Sequence, residues 1–321
     1  IVTVLPRVNH ESKTSLETTY AELRKAACDR ILIYKRTLQA SSLFLNPDCF
    51  QYSQLSGGYS NTTYRIGSQG SWAYVSRIAG AGSEQFIDRE AEWHNATIAA
   101  DLELNPRIHF NDKRGNQLSQ WLSSPQPMTP EMLGQNPDYL AQIALKLQQL
   151  HQSSKQFKNN ANIFKRNQAF YRIIESSDRK LPEAYAPIKA LANKVEALFK
   201  QLEIPQVPCH NDTFFNNFLI SGDKLWLIDW EYSGNHDSMW DLAYFCKLAG
   251  LNKEQKMHFF STYFNCQNYQ QEYHLDYLRV IAYSITINDF LILWTFTQLA
   301  NKNVVVENEN ELMKWAEDAL E

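Results

Sequence analysis

Several kinds of protein are excluded by what this 321-residue chain has little of. Its five cysteines (Cys28, Cys49, Cys209, Cys246, Cys266) are odd in number and far apart. That spacing gives neither a disulfide framework nor a zinc site, and suits reduced thiols. With 31 basic against 35 acidic residues the net charge is −4, so the basic signature of a nucleic-acid binder is missing. Long apolar runs are missing too. The most apolar region, 280–300, is broken by Asn288 and Asp289; its uncharged runs are too short to cross a bilayer and predict a buried core helix without membrane insertion. No signal peptide, internal repeat or low-complexity tract is visible, and the expected compartment is the cytoplasm. Ile1 is not an initiator methionine, which predicts a trimmed chain.

What is present is a globular composition, 44% hydrophobic and 21% charged, long enough for one large core or two lobes. Leu16, Tyr20, Leu23, Ala27, Ile31, Tyr34 and Leu38 step by three or four, an amphipathic helix that either packs on the body or docks a partner. Strand-like alternation follows at 50–55, 62–66 and 72–78, and Gly57-Gly58-Tyr59-Ser60-Asn61 makes a glycine turn between strands. Such a turn can cradle phosphates with its amides or simply close a hairpin. Arg77 ends the third strand, where it would reach phosphates or lie solvated at an edge. A helix over 85–101 carries Glu92, a potential partner for Arg77. Short strands at 107–110 and 117–122 lead into a proline-bearing segment at 123–130, the expected lobe boundary. Helices are predicted at 139–151, 163–177, 183–203, 239–249 and 311–320, and His151 reads as a helix-terminal structural histidine.

The informative stretch is Cys209-His210-Asn211-Asp212, then Asn217, then Ile228-Asp229-Trp230-Glu231, where Asp229 ends an apolar, strand-like run that begins at Leu225. The pattern is His-x-Asp-x₄-Asn with a further Asp twelve residues beyond the Asn. Phosphoryl transfer of the kinase type needs this set: a carboxylate to orient and deprotonate a hydroxyl, and an amide with a second carboxylate to hold Mg²⁺. A strand-rich half followed by a helical half with these residues predicts an α+β, two-lobed protein-kinase-like fold. Its small antiparallel-sheet N-lobe would span 49–123 and its larger, mainly helical C-lobe 124–321, with 1–48 as a helical extension. The H-R-D, D-F-G and A-P-E signatures of protein kinases are all missing.

These motifs resemble the choline/ethanolamine kinases, and the bacterial choline kinases most, within the group that includes aminoglycoside phosphotransferases. The resemblance is carried by 55–61, by Tyr74-Val75-Ser76-Arg77-Ile78, by 87–95, by His210-Asn211-Asp212, by 227–232 and by Trp240-Asp241-Leu242-Ala243. It covers roughly 50–300. It implies ATP and Mg²⁺ as cofactors, Asp212 as catalytic base, and Asn217 and Asp229 as metal ligands with Glu231 close by. It implies Arg77, braced by Glu92, on the α/β-phosphates, with Gly57, Gly58, Tyr59, Ser60 and Asn61 covering them. Gln120, Trp121 and Leu122 would form the nucleotide hinge, and His210 and Asp241 would be scaffold. The implied acceptor is an amino alcohol, choline first, giving phosphocholine. A quaternary ammonium has no N–H donors and is held by aromatic faces and carboxylates; the candidates are Tyr232, Trp240 and Trp294, with Glu231 and Asp289. Leu291 stands where a second C-terminal aromatic is expected, and Leu248 where the family often has an acid. Ethanolamine, thiamine and aminoglycosides remain alternative acceptors, and a catalytically silent kinase-fold binding module is the alternative from another class.

Overall fold

The computed structural model describes residues 50–55, 61–68, 71–79, 87–112, 114–300 and 309–320. The helix expected within 15–38 and the glycine turn at 56–60 lie outside them. Of the described residues, 50–53, 65–68 and 71–73 belong to one compact unit, and the rest to a second. In the first, the Arg65 guanidinium lies 4.3 Å from the Trp72 ring.

Strands β1 (Phe50–Leu55), β2 (Asn61–Ser68) and β3 (Ser71–Ala79) fall where the alternation predicts them. In the second unit, residues 74–77 of β3 pair antiparallel with β5 (Gln117–Gln120), which pairs in turn with β4 (Ile108–Asn111). Between β3 and β4 lies α1 (Arg89–Asp101), whose start is set by Asp88: its carboxylate accepts from the amides of Glu90 and Ala91, taking up donors that a helix N-terminus leaves bare.

The rest of the unit is mainly helical. Helix α2 (Pro130–Gln135) leads into α3 (Pro137–His151), where Leu140, Ile143, Ala144, Leu147 and Leu150 are buried as one stripe. Helices α4 (Ile163–Glu175) and α5 (Tyr185–Phe199) follow. A short β6 (Gln126–Pro127) joins the hairpin β8 (Phe218–Ser221) and β9 (Lys224–Leu227), while β7 (Val207–Cys209) pairs with β10 (Gly234–His236). Helices α6 (Ser238–Leu248), α7 (Lys253–Phe264), α8 (Tyr269–Glu272), α9 (His274–Ala300) and α10 (Glu309–Leu320) complete it.

Helix α9 is the central post, packed against α4, α5, α6 and α10. It is long and apolar enough for a membrane span, but 67% of its most apolar window is buried inside the protein, as expected of a core helix. Its one buried acid, Asp289, is satisfied there by the Asn167 amide at 2.7 Å and the Tyr185 hydroxyl at 2.6 Å. The order of elements, an N-terminal antiparallel sheet followed by a largely helical body, is the α+β arrangement expected from sequence.

Candidate active site

The spacing of the polar residues becomes geometry through two strand pairings and one buried carboxylate. β7 ends at Cys209, and the next residues leave the sheet through Asn211, whose φ of +63° lies in the left-handed region. An asparagine tolerates that conformation better than a branched residue would. The turn is clamped by Asp241 from α6, whose side chain is fully buried. Its two oxygens accept the backbone amides of His210 (2.8 Å) and Asn211 (2.7 Å), and its carbonyl accepts the Thr213 hydroxyl (2.7 Å). His151 donates to the same carboxylate through Nε2 (3.1 Å) and meets the Tyr263 hydroxyl through Nδ1 (2.7 Å). Burial alone would raise the Asp241 pKa, but the hydrogen bond and charge of His151, with those around His210, hold it below its ordinary value.

His210 ties the loop to the second run. The Asp212 amide donates to Nδ1 (3.3 Å), so Nε2 carries the proton and donates to the Ile228 carbonyl (2.9 Å). Burial drives its pKa down to about 4, keeping it a neutral strut. The β8–β9 register sets Phe218 opposite Leu227, and the Ile228 amide donates to the Asn217 carbonyl (2.9 Å). That contact brings Asn217 beside the Asp229 segment. Asn217 also donates through its side chain to the Asp212 carbonyl (2.9 Å) and carboxylate (3.2 Å). The strand expected to run on to Asp229 stops at Leu227, and Asp229 takes φ +68°: the left-handed turn re-aims the chain here, where a continued strand would not.

Arg77 meets Glu92, as expected from sequence, and also reaches Asp229 Oδ1 at 3.0 Å. Glu92 is buried and takes Arg89 Nη1 on its other oxygen at 2.7 Å; Arg89 lies 3.5 Å from Glu231 Oε2, which also accepts from Asn61 Nδ2 at 3.1 Å. Arg89 was not singled out by sequence reasoning, although the Arg-x-x-Glu spacing on one helix face was a usable signal. Gly115, at φ +83°, makes room for it: a Cβ there would stand 2.5 Å from the Arg89 side chain.

Three carboxylates therefore crowd together with their arginines. Burial above all, with neighbouring acids, pushes Asp212 and Asp229 each up to about 6 and Glu231 up to about 7; Asp212 acts on Asp229, Asp229 on Glu231, and Glu231 on Asp212. The Tyr244 hydroxyl donates to Asp212 and opposes that rise. For Arg77, burial works against the charge, but Glu92, Asp229 and Glu231 outweigh it and raise its pKa.

Of the residues expected around the acceptor, Tyr232 and Trp294 are half-buried and adjacent, the indole N–H donating to the phenol. Trp240 and Asp289 are instead core residues. Trp240 is fully buried and its indole donates to the Asn211 carbonyl at 3.2 Å, bracing the loop from behind. Asp289 spends its oxygens on Asn167 and Tyr185 inside the helical body. Sequence reasoning passed over Arg166 on α4, whose guanidinium stands 4.4 Å from the Phe290 ring, 4.8 Å from Tyr232 and 5.8 Å from Trp240. Gln120 pairs its amide with the Arg107 carbonyl at 2.8 Å, Trp121 is half-buried, and Leu122 is buried. Gly57, Gly58, Tyr59 and Ser60 lie outside the described residues; Asn61 opens β2.

The choline kinase LicA from Streptococcus pneumoniae superposes with a TM-score of 0.73 at 22% identity, over 93% of this chain and 99% of that one. A LicA in complex with AMP gives 0.70 at 22% identity, covering 91% and 97%. These likenesses give the chain a protein-kinase-like fold. The family model for choline/ethanolamine kinase matches residues 52–313, so the chain belongs to the choline/ethanolamine kinase family, kinases of small-molecule alcohols. Protein LicA of Haemophilus influenzae is 29% identical over 260 residues, 78% of this chain and 74% of that protein. The stretch over which the sequence motifs resemble this family coincides with the matched region.

Proposed function

We propose that the chain transfers the γ-phosphate of ATP to the hydroxyl of a small alcohol with the help of Mg²⁺, in the cytoplasm. Asp212 takes the proton of the acceptor hydroxyl as its oxygen bonds to the γ-phosphorus. The bond from that phosphorus to the β–γ bridging oxygen breaks, and ADP leaves. Such transfer has a loose transition state, so positioning and charge neutralisation carry most of the catalysis. Asn217, Asp229 and Glu231 would hold Mg²⁺, which supplies that neutralisation when bound. Hard oxygen donors suit this ion, and three carboxylates that raise one another's pKa are the mark of a site that favours a cation. Arg77, held by Glu92, serves the α/β-phosphates, with Gly57 to Asn61 above them and Gln120, Trp121 and Leu122 at the adenine. Choline and its amino-alcohol relatives are the acceptors that family membership puts first.

The observation that carries the reaction is the contact chain Asp241–His210–Ile228 and Asn217–Asp212, which ties both loops together. Asp212→Asn should lower turnover by about 10³-fold, within the range for loss of a general base, while nucleotide binding measured by calorimetry persists. Unchanged turnover would remove Asp212 from the mechanism.

A further inference from the structure

Helix α1 buries three polar side chains, Arg89, Glu92 and Asn95, and the charged cluster engages only the first two. Its buried apolar residues are Ala91, Ala96 and Ala99. Burial of such small groups is non-directional and leaves few ridges to stop a helix sliding or turning on its neighbours. The position of α1 therefore falls to its polar contacts. Asn95 is fully buried, and both ends of its amide are engaged. Its Oδ1 accepts the Lys158 amide (2.9 Å), while Nδ2 donates to Asn159 Oδ1 (2.9 Å) and to Ser233 at the carbonyl (3.2 Å) and the hydroxyl (3.1 Å). Hydrogen bonds are directional where apolar burial is not, so Asn95 fixes both the height and the rotation of the helix. The other contact from α1 to this turn, Arg89 to Glu231, is longer at 3.5 Å.

What Asn95 grips leads directly to the reacting groups. Ser233 follows Glu231 and Tyr232 in the chain, and the same turn holds the catalytic loop, since Asn211 Nδ2 donates to the carbonyls of Tyr232 (3.2 Å) and Gly234 (3.4 Å). Residues 157–161 back the turn from the other side. The Asn235 side chain accepts the Phe157 amide (2.9 Å) and donates to the Phe157 carbonyl (2.9 Å), and the Asn235 and Ala161 amides donate to the Asn159 and Asn235 carbonyls (2.8 and 2.9 Å). A Cβ on Gly234 would stand 3.0 Å from the Ala161 nitrogen, so this segment lies flush against the turn. Asn95 is where helix, segment and turn meet. Phosphoryl transfer needs Arg77, held by Glu92, at one fixed spacing from the carboxylates, as protein kinases need their Lys–Glu pair in place. Resting on the phosphoryl-transfer reading above, we infer that Asn95 is a positioning residue for the reaction: through Ser233 and Asn159 it sets α1, and with it Glu92 and Arg77, against Asp212, Asp229 and Glu231.

The test is a double-mutant cycle on the full chain, read by calorimetry of ATP binding with Mg²⁺ and by turnover of choline and ethanolamine. Asn95→Leu nearly keeps the side-chain size and removes its hydrogen bonds. It should lower kcat by about 100-fold, the scale of a 1 Å misplacement, and weaken ATP binding by about 10-fold, within the range for coupled residues of one network. Residues that act through one another are non-additive, so in a Glu92→Gln background the same substitution should weaken ATP binding by less than about twofold. An asparagine that merely stabilises the fold would give equal factors in both backgrounds. Leu147→Ala, in the core stripe of α3, is the stability control: it should lower the melting temperature while ATP affinity and turnover persist. Where Asn95→Leu does not fold, Asn159→Ala replaces it in the cycle; Asn159 is half-buried, lies outside helix and strand, and supplies one of the Asn95 contacts. The binding arm decides the matter whichever alcohol is the natural acceptor. Unchanged ATP affinity in the folded variant, or equal losses with and without Glu92→Gln, overturns the inference and leaves the kinase reading standing. That reading fails separately, and takes the inference with it, if the unaltered chain binds no ATP.

Discussion

Replacing Asp241 by asparagine tests whether one buried carboxylate assembles the catalytic loop. Asp241 Oδ2 accepts from His151 and the His210 amide, and Oδ1 accepts from the Asn211 amide. Asparagine offers one acceptor oxygen and one NH₂. If the oxygen keeps the His151 and His210 contacts, the NH₂ is turned toward the Asn211 amide, donor against donor. The lost bond was to a charged acceptor, about 1.5–3 kcal/mol, and the bare buried N–H adds about 1–3 kcal/mol. A loss of about 3 kcal/mol is expected. With a urea slope of about 3 kcal/mol/M for a chain of this size, the unfolding midpoint falls by about 1 M. The Asn211 turn leads straight into Asp212, so kcat should fall as well, by about 100-fold for a displacement near 1 Å. The assay pairs urea unfolding, read by tryptophan fluorescence, with turnover at saturating substrates. A midpoint within about 0.3 M of the unaltered chain, with kcat unchanged, would refute the view that Asp241 holds the loop.

Two other perturbations probe the charged cluster. Arg77→Met leaves Asp229 without its cationic partner and Glu92 with Arg89 alone; breaking such a buried pair costs about 3–5 kcal/mol, and nucleotide affinity by calorimetry should fall with stability, whereas an unchanged affinity would free Arg77 from any phosphate role. The second concerns pH. Asp212, Asp229 and Glu231 have pKa values raised to about 6, 6 and 7 from ordinary values of 3.8, 3.8 and 4.5, so the folded, metal-free chain binds protons more tightly than the unfolded chain. The stabilisation this brings is present below about pH 4 and is lost as pH rises through about 6 to 7. Melting temperature without metal should decline over that window, and added MgCl₂ should raise it more at pH 7.5 than at pH 5.5; an equal increment at both values would count against Mg²⁺ binding by these acids.

The parts of the site legible in the sequence are those that depend on local chain geometry. The residues between His210 and Asn217 form one loop, and a hairpin of fixed register returns the chain to Asp229, so spacing alone carries their proximity. The Arg77–Glu92 pair was legible for a similar reason, since a strand and the next helix are neighbours in the chain. The strand's early end at Leu227 was not legible, because a left-handed Asp229 leaves no mark in hydrophobic alternation.

Sequence by itself determined the family, the α+β order of elements and the residues suited to phosphoryl transfer. Only the tertiary structure decided where the side chains expected around the acceptor lie. Trp240 and Asp289 have the right chemistry for a cation, but helix packing turns both into the core, where an indole braces the loop and a carboxylate bonds to Asn167 and Tyr185. Arg166 is one basic residue among 31 in the sequence. It stands against Phe290 of α9, Trp240 of α6 and Tyr232 of the turn before β10, from 66 to 124 positions away, and no periodicity or spacing records which charge will be desolvated by contacts at that range.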